Sequence, residues 1–422
     1  MELKVKPSES LGGVVSAPPS KSYTIRAVLS SLLADGSSTI RSPLVSRDTM
    51  AAFNACRLLG GRMLEAEGLV EVDGVGGKPA VPGSKIDALN SGTTIRIATA
   101  IASLCGGPVT LTGDESICRR PIQPLLDALS QLGVNSRSES GFPPVTVEGP
   151  LEGGLCSIPG DVSSQYITAL LMASPYAGED VTVELTTGLK SRPYVDLTLD
   201  MLARFKVEVY NDGYKSFHVP AGQSYSPVDY TVEGDYSSGA FILAAAALTD
   251  SEVTVNNLFR DSLQADRKIA EIISKMGAKV GINDDSVSVV SDGRLHGIRA
   301  DLSDSPDLVP IVSVLGALSE GETEIFNAAH ARLKECDRIE AMASELSKMG
   351  CEVEERDDGL LIQGGVLKGS EVDGWMDHRI IMSLAVAGLK AEGETVISGA
   401  EHLDVTFPDF KEVLGSLGGV LV

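Results

Sequence analysis

Ser274-Lys275-Met276-Gly277 and Ser347-Lys348-Met349-Gly350 are near copies of one short segment. Related segments end at Gly60, Gly133 and Gly418, and a degenerate copy ends at Lys206, so that successive copies are roughly 70 residues apart. Self-similarity at a fixed period indicates an internally repeated architecture. The sequence therefore predicts six copies of one structural unit.

An amphipathic helix precedes each repeated glycine. Ile269, Ile272, Ile273 and Met276 follow the i, i+3, i+4, i+7 spacing of one helix face, and Gly277 stands where a helix C-cap belongs. Short β-rich segments follow, for example residues 279–282, and a Gly-containing turn separates each pair of them. This pattern predicts a superficial helix followed by a β-hairpin.

A second type of helix alternates with the first. Residues 240–248 and 309–318 are apolar on every side, which predicts complete burial. Each unit is thus interpreted as β-α-β-α-β-β, and six units form two α/β domains of three. A solenoid is the alternative, but its repeats typically have only about 20–45 residues.

Composition excludes several classes of protein. Of 422 residues, 43% are hydrophobic and 22% are charged, which is typical of a globular chain. The net charge of −23 disfavours binding to nucleic acid or to an anionic membrane. The N-terminal residues 1–6 lack the apolar core of a signal peptide, and we expect a cytoplasmic protein.

The six cysteines are widely spaced, without a C-x-x-C motif. This spacing disfavours a zinc site and a disulfide framework, and we expect free thiols and no bound metal.

Polar and charged residues stand at the predicted beginning of each buried helix. The N-terminus of a helix carries unpaired N–H groups and partial positive charge, so several such ends together would bind an anion. Ser20-Lys21-Ser22 with Arg26, and Asn90-Ser91-Gly92, are two such starts. Each taken alone also fits a solvated helix end or an ordinary N-cap.

The densest group of charges lies between Arg332 and Arg338. A solvated helix face, with pairs such as Lys334 and Asp337, is the structural alternative to a binding site. Asp307 and the run Asp377-His378-Arg379 stand at the starts of the last two buried helices.

Taken together, these loops resemble those of the 5-enolpyruvylshikimate-3-phosphate (EPSP) synthase family. The resemblance covers the whole chain and depends on an ordered series of motifs, which are S-K-S-x-x-x-R (residues 20–26), N-S-G-T-T-x-R (90–96), L-T-G-D with R-R-P-I (111–122), S-S-Q-Y (163–166), S-R-P-Y (191–194), P-D (306–307), K-E-C-D-R (334–338), D-H-R (377–379) and F-P-D-F (407–410).

The resemblance implies a two-domain inverse α/β barrel in which the chain crosses twice between domains. We place one domain at residues 17–229 and the other at residues 1–16 and 230–422. It also implies enolpyruvyl transfer from phosphoenolpyruvate to the 5-hydroxyl of shikimate 3-phosphate in the interdomain cleft, with release of phosphate. This reaction belongs to the shikimate pathway of aromatic amino-acid biosynthesis. No cofactor is implied, and we expect a monomer.

The resemblance also assigns roles to individual residues. The contacts to shikimate 3-phosphate are Lys21, Ser22, Arg26, Ser163, Ser164, Gln165, Ser191, Tyr194, Asp307, His330 and Lys334. The contacts to phosphoenolpyruvate are Lys21, Asn90, Gly92, Arg120, Gln165, Arg338 and Arg379. Guanidinium forks suit carboxylate and phosphate groups because they can bind both oxygens at once. Asp307 is the expected proton acceptor and Glu335 the expected donor, with Lys21 assisting.

Two positions depart from the family pattern. Val405 stands where the family often has a lysine that binds phosphoenolpyruvate, and His330 stands where it often has an asparagine. We expect Lys21, Arg120, Arg338 and Arg379 to suffice without that lysine.

Three other functions remain as alternatives. The enolpyruvyl transferase that acts on UDP-N-acetylglucosamine pairs its lysine with Asn, whereas Ser22 follows Lys21 here. An RNA 3′-phosphate cyclase is disfavoured by the acidic net charge. A repeat scaffold that binds a partner through its loops would not respond to shikimate 3-phosphate.

Because the proposed ligands come from both predicted domains, we expect shikimate 3-phosphate to draw the domains together. Small-angle scattering with and without this ligand measures the effect. We expect a smaller radius of gyration with ligand, and an unchanged radius would contradict the assignment of residues from both domains to one ligand.

Overall fold

The computed structural model describes residues 1–422, which form two compact units. The central unit comprises residues 19–232, and the terminal unit comprises residues 1–18 and 233–422. The terminal unit is therefore built from two separate stretches of the chain.

The chain has 24 strands and 13 α-helices. The strands are β1 (Glu2–Lys6), β2 (Ser10–Ser16), β3 (Ser37–Arg41), β4 (Arg62–Ala66), β5 (Leu69–Asp73), β6 (Ile86–Asp87), β7 (Val109–Thr112), β8 (Asn135–Glu139), β9 (Phe142–Glu148), β10 (Gly154–Ile158), β11 (Val181–Leu185), β12 (Tyr210–Asp212), β13 (Ser216–Val219), β14 (Asp229–Thr231), β15 (Asp250–Asn256), β16 (Lys279–Ile282), β17 (Ser286–Asp292), β18 (Arg299–Asp301), β19 (Glu322–Phe326), β20 (Glu352–Arg356), β21 (Gly359–Gln363), β22 (Glu371–Val372), β23 (Thr395–Ser398) and β24 (Val420–Leu421).

The α-helices are α1 (Lys21–Leu33), α2 (Arg47–Leu58), α3 (Gly92–Ala102), α4 (Glu115–Cys118), α5 (Gln123–Gln131), α6 (Ser164–Ala173), α7 (Arg192–Arg204), α8 (Tyr236–Leu248), α9 (Lys268–Met276), α10 (Val309–Ala317), α11 (Arg338–Lys348), α12 (His378–Gly388) and α13 (Phe410–Ser416). Short 3₁₀ segments occupy Ser174–Tyr176, Ala265–Arg267, Pro306–Leu308, Ala329–Leu333 and Ala400–Val405. None of the helices has both the length and the apolar character needed to cross a membrane.

Six four-stranded sheets share one topology. In the central unit the strand orders are β14-β3-β5-β4, β6-β7-β9-β8 and β10-β11-β13-β12. In the terminal unit they are β2-β15-β17-β16, β18-β19-β21-β20 and β22-β23-β1-β24. The first pair in each sheet is parallel and the other two pairs are antiparallel. The predicted six β-α-β-α-β-β units are confirmed.

The two chain crossings exchange strands between neighbouring repeats. The sheet around β3 takes its first strand from β14, and the sheet around β15 takes its first strand from β2. The last sheet is closed by β1, which pairs with both β23 and β24. Each compact unit therefore needs pairing between residues that are far apart in sequence.

The two predicted helix types occur alternately. Every residue of α8, α10 and α12 is buried, whereas α9 and α11 bury only one face. In the central unit α3 is also buried throughout. Since helices that are apolar all round must lie inside the protein, the hydrophobic pattern explains this arrangement.

The repeated glycines end the amphipathic helices in the left-handed conformation. Gly60, Gly133, Gly277 and Gly350 have φ values of 100°, 90°, 119° and 90°. The degenerate copy has Lys206 at the same point, with φ of 64°. Lysine thus adopts a conformation that glycine reaches without steric cost.

Some predicted bounds differ from the observed ones by one residue. The helix expected at residues 309–318 is α10, which ends at Ala317. Helix and strand ends are set by individual hydrogen bonds, which the periodic pattern does not specify.

Replacing Lys206 by glycine tests the repeat alignment. A side chain in the left-handed region costs about 1–2 kcal/mol, and the greater entropy of glycine in the unfolded chain offsets part of this gain. Lys206→Gly should therefore raise the free energy of unfolding by up to about 1 kcal/mol in urea titrations. Gly277→Ala is the matched control and should lower it; a loss of stability in Lys206→Gly would contradict the alignment.

Candidate active site

Arg338 is the centre of a buried charge cluster in the terminal unit. Its side chain is 1% exposed and donates from Nε to Asp377 Oδ2 at 2.8 Å, from Nη1 to Asp307 Oδ1 at 2.7 Å and from Nη2 to Glu335 Oε2 at 2.6 Å. A further bond of 3.4 Å joins Nη2 to Asp377 Oδ1. Four hydrogen bonds thus use most of the five N–H donors of the guanidinium. The adjacent carboxylates raise the pKa of Arg338 although its burial opposes them.

Asp307 links three cations. Besides Arg338, its Oδ1 lies 3.4 Å from Lys334 Nζ, and its Oδ2 lies 3.2 Å from Arg379 Nη2. Asp307 lies in the 3₁₀ segment Pro306–Leu308, which leads directly into the buried helix α10. Burial lowers the pKa of the Lys334 ammonium, and the charge of Asp307 opposes that shift.

Helix starts hold this cluster in place. Asp377 is the N-cap of α12, and its Oδ1 accepts from the backbone N of Arg379 at 2.8 Å. Asp337 is the N-cap of α11, and its Oδ1 accepts from the backbone N of Glu340 at 3.0 Å. The capping carboxylates therefore fix both the helix ends and the cations beside them.

The charge run from Arg332 to Arg338 is not a simple solvated helix face. Arg338 is buried, and the suggested pair of Lys334 and Asp337 is wrong. Asp337 instead lies 2.7 Å from Arg332 Nη1, while Lys334 contacts Asp307. Lys334 turns to a carboxylate of another segment, whereas Asp337 pairs with Arg332 within the run, and the order of the charges in the sequence does not distinguish these two outcomes. His330 is half-buried in the 3₁₀ segment Ala329–Leu333.

A fourth carboxyl group, Asp266, lies beside the cluster. It is 1% exposed, and its pKa is raised to about 7 by burial and by the negative charge of Asp307, while Arg379 opposes the shift. Ser237 donates a hydrogen bond to its Oδ2. Its other oxygen, Oδ1, is buried without a hydrogen-bond partner.

In the central unit, Lys21 is the first residue of α1. Its Nζ lies 2.8 Å from Oδ2 of Asp48, and both side chains are largely buried at 13% and 5% exposure. The N-cap residue Ser20 makes no capping bond with its side chain, and its Oγ is buried without a partner. Asp48 therefore holds the Lys21 side chain at the start of α1, where the Ser20 hydroxyl has no hydrogen-bond partner.

Arg26 lies one turn further along α1 and is paired only with neutral oxygens. It is 1% exposed and donates to Thr198 Oγ1 at 2.9 Å, to the Tyr194 carbonyl at 3.1 Å, to the Ser22 carbonyl at 3.1 Å and to Thr168 Oγ1 at 3.4 Å. Desolvation lowers the pKa of Arg26 to about 10, so the group stays charged at neutral pH. A buried cation without a carboxylate favours binding of an external anion.

Gly92 brings two further arginines and Gln165 together. Arg96 Nη1 donates to Gln165 Oε1 at 2.6 Å and to the Gly92 carbonyl at 3.1 Å, and Gln165 Nε2 donates to Thr93 Oγ1 at 3.0 Å. A Cβ atom on Gly92 would lie 2.6 Å from Arg96 Nη1 and 2.9 Å from Arg120 Nη1. The absence of a side chain at Gly92 is thus required for this close approach.

The other predicted contacts of the central unit lie at helix starts. Ser163 is the N-cap of α6, and its Oγ accepts from the Gln165 backbone N at 3.3 Å. Ser164 begins α6 and is buried. Ser191 precedes α7 in the left-handed conformation, with φ of 55°. Asn90 is 8% exposed, and its Oδ1 is buried without a partner.

The two units differ in the charged side chains that they bring together. The central cluster contains four cations, which are Lys21, Arg26, Arg96 and Arg120, and the carboxylate of Asp48 lies beside Lys21. The terminal cluster contains three cations, which are Lys334, Arg338 and Arg379, and four carboxyl groups, which are Asp266, Asp307, Glu335 and Asp377. The central cluster is suited to bind anions, and the terminal cluster is suited to proton transfer.

Sequence reasoning assigned no role to Asp48, Arg96, Asp266 or Asp377. Arg96 ends the motif of residues 90–96 and Asp377 begins the motif of residues 377–379, so the motifs themselves were the signal that could have identified both residues. Asp48 is 27 positions after Lys21 and Asp266 is 41 positions before Asp307, and no local spacing rule connects either pair. The described residues include no group of three or more His, Cys, Asp or Glu suited to a metal ion.

Val405 closes the 3₁₀ segment Ala400–Val405 and is 2% exposed. A lysine at this position would have to bury its ammonium group or displace its surroundings. The position that the resemblance aligns with the family's lysine therefore holds a buried apolar side chain.

Comparison with known proteins is consistent with this arrangement. The family model described as EPSP synthase (3-phosphoshikimate 1-carboxyvinyltransferase) matches residues 5–414. The 3-phosphoshikimate 1-carboxyvinyltransferase of Methanocaldococcus jannaschii is 47% identical over 421 residues, covering 99% of this chain and 98% of that protein. The Halobacterium salinarum protein of the same name is 48% identical over 427 residues, covering 99% of both chains.

A solved EPSP synthase from Acinetobacter baumannii has the same fold. The two structures superimpose with a TM-score of 0.84 at 27% identity, covering 100% of this chain and 99% of that one. The predicted α/β fold class is thereby confirmed. With a family model that spans nearly the whole chain and relatives that are close to half identical, the chain belongs to the EPSP synthase family.

Proposed function

We propose that this chain transfers the enolpyruvyl group of phosphoenolpyruvate to the 5-hydroxyl of shikimate 3-phosphate. The observation that carries the proposal is the buried guanidinium of Arg26, whose hydrogen-bond partners are neutral oxygens. Arg26 is buried, and Lys21, Arg96 and Arg120 add three more cations to the central cluster. Both substrates of this reaction are phosphorylated anions, which supply the missing negative charge.

In this proposal the phosphate of shikimate 3-phosphate binds at the starts of α1, α6 and α7. Arg26 holds Tyr194 through its carbonyl, and Ser163 caps the helix that begins with Ser164. Their hydroxyl and backbone N–H groups suit phosphate oxygens. The remaining proposed contacts to this substrate are Lys21, Ser22, Gln165, Ser191, Asp307, His330 and Lys334.

Phosphoenolpyruvate would bind through its phosphate to Lys21, Arg120 and the backbone at Gly92. The close approach of two arginines to Gly92 supports this role, since the glycine leaves room for an anion beside them. Asn90 and Gln165 would complete the phosphate contacts. Arg338 and Arg379 would bind the carboxylate, although Arg338 already makes four hydrogen bonds to carboxylates of its own unit.

The proposed reaction is an addition followed by an elimination. The acceptor hydroxyl adds to C2 of phosphoenolpyruvate, loses its proton to Asp307, and the methylene carbon takes a proton from Glu335 with help from Lys21. Phosphate then leaves while Glu335, now a carboxylate, takes back one proton from the methyl group, and the double bond is restored. Both carboxyl groups contact Arg338, which holds them in fixed positions. Fixed charges of this kind stabilise a developing positive charge without reorganisation.

The remaining parts of the proposal concern the state of the protein in the cell. We propose a cytoplasmic monomer that binds no nucleic acid, metal or organic cofactor. The net charge of −23 supports the exclusion of nucleic acid. A phosphate-release assay with both substrates, compared with each substrate alone, tests the activity itself, and release that does not need both substrates would contradict the proposal.

Asp307→Asn and Glu335→Gln test the two proton-transfer roles. Each variant should lower turnover by roughly 10²–10⁴-fold, which is the usual contribution of a general acid or base. Phosphate release measures turnover, and equilibrium dialysis measures substrate binding, which we expect to persist. Glu340→Gln makes the same change at an exposed position of α11 and should leave turnover unchanged. Near-normal turnover in either site variant would remove that residue from the mechanism.

Gly92→Ala tests the proposed phosphoenolpyruvate contacts. The added methyl group would push Arg96 and Arg120 away, and losing one charge-assisted hydrogen bond costs about 1.5–3 kcal/mol. We therefore expect the KM for phosphoenolpyruvate to rise roughly 10- to 100-fold, with little change for shikimate 3-phosphate. Gly83→Ala is the control, because a Cβ there meets nothing within 4 Å. Equal KM values for Gly92→Ala and wild type would show that the ligand does not lie beside Gly92.

A further inference from the structure

Asp266 occupies an unusual position for a carboxyl group. It lies in the 3₁₀ segment Ala265–Arg267 and is 1% exposed. Ser237, in the first turn of α8, donates to its Oδ2, and its Oδ1 is buried without a hydrogen-bond partner. An ionised carboxylate with an unsatisfied buried oxygen is costly, so the protonated form is comparatively favoured.

Hydrogen bonds hold this segment against neighbouring elements. Ser305 Oγ donates to the Ala265 carbonyl at 3.0 Å, which connects the segment to the turn that carries Asp307. On the other side, the Tyr236 backbone N donates to Gln264 Oε1 at 3.0 Å, which connects it to the start of α8. The position of Asp266 is therefore fixed by the fold on both sides.

The charged groups that face Asp266 come from three elements. Asp307 and Asp235 disfavour its ionisation, whereas Arg379 favours it and Ser237 donates a hydrogen bond to it. Together with burial, these groups raise the pKa of Asp266 to about 7. The proton occupancy of Asp266 thus responds to small changes of charge near Arg379 in the neutral range of pH.

Binding of a substrate carboxylate would make such a change. Arg379 is 3.2 Å from Asp307 Oδ2, and the carboxyl groups of Glu335 and Asp377 lie in the same cluster around Arg338. A further anion at Arg379 removes the charge that favours ionised Asp266. Uptake of one proton by Asp266 would restore the balance.

We propose that Asp266 is a positioning residue that takes up one proton from solvent when the phosphoenolpyruvate carboxylate binds to Arg379. This inference depends on the proposed function, because it takes Arg379 as a ligand of that carboxylate. Protonation converts the Asp266 carboxylate to a neutral acid and forms one O–H bond at the carboxyl group. Neutral Asp266 no longer attracts Arg379, whose guanidinium then turns to the substrate.

Asp266→Asn tests the coupling because asparagine has a similar shape and cannot titrate. Since wild-type binding takes up a proton, the KM for phosphoenolpyruvate should rise as the pH increases above about 7, by up to about tenfold per pH unit. Asp266→Asn should lack this component of the rise. The phosphate of the substrate titrates equally with both proteins, so the ratio of their KM values isolates Asp266.

Asp261→Asn is the matched control. Asp261 is exposed a few residues earlier in the same loop, and its variant should keep the wild-type dependence on pH. Parallel KM profiles for wild type and Asp266→Asn would overturn the inference. Absence of phosphate release from wild type with both substrates would instead contradict the proposed function.

A second measurement uses wild-type protein and does not depend on the variant. Carbon-13 NMR of protein labelled at aspartate carboxyl groups should show one group that titrates near pH 7. Phosphoenolpyruvate, added without acceptor so that no turnover occurs, should move this midpoint to higher pH. A midpoint that stays in place at saturating phosphoenolpyruvate would overturn the inference.

Discussion

The buried guanidinium of Arg338 determines the arrangement of the terminal cluster. It binds carboxylates from three separate segments, which contain Asp307, Glu335 and Asp377. Burial of these charges is tolerable only because each one is paired and hydrogen-bonded. Asp377 also caps α12, so the same carboxylate fixes a helix end and orients Arg338. Loss of this one cation would leave three carboxylates without their common partner, and the positions of both proposed proton-transfer groups depend on it.

In the central cluster, the buried arginine is paired with neutral oxygens and not with carboxylates. Arg26 is equally buried, but hydroxyl and carbonyl oxygens surround it, and these satisfy its N–H groups without neutralising its charge. The positive charge remains available to a ligand, whereas the charge of Arg338 is already compensated. In the proposed function, the two arginines therefore serve different purposes. A cation paired with neutral oxygens attracts an anion, and a cation paired with carboxylates positions acids and bases.

Much of the fold could be predicted from the sequence because the repeats are visible in it. The period of the glycines and the two helix types gave six α/β units, and even the degenerate copy at Lys206 has the left-handed backbone of the glycines. Apart from Arg96, the cations of both clusters were also predicted, because they stand in motifs that resemble those of the family. Their partners were not, because pairs such as Lys21 with Asp48 form only when helices pack together. The burial of Val405 was likewise decided by tertiary packing.

The burial of Val405 and the carboxyl groups of the terminal cluster both affect how this cluster would bind a substrate carboxylate. With Val405 in place of the family's usual lysine, the terminal cluster has only Lys334, Arg338 and Arg379 as cations. Arg338 is largely committed to its own carboxylates, so an incoming substrate carboxylate depends mainly on Arg379. A lysine could add a permanent positive charge there, but this chain offers none at that position. Removal of negative charge has the same electrostatic effect as addition of positive charge, and a carboxyl group that titrates near neutral pH can provide it reversibly. In the proposed function, a proton on Asp266 would compensate for the lysine that the family pattern often has and that this chain lacks.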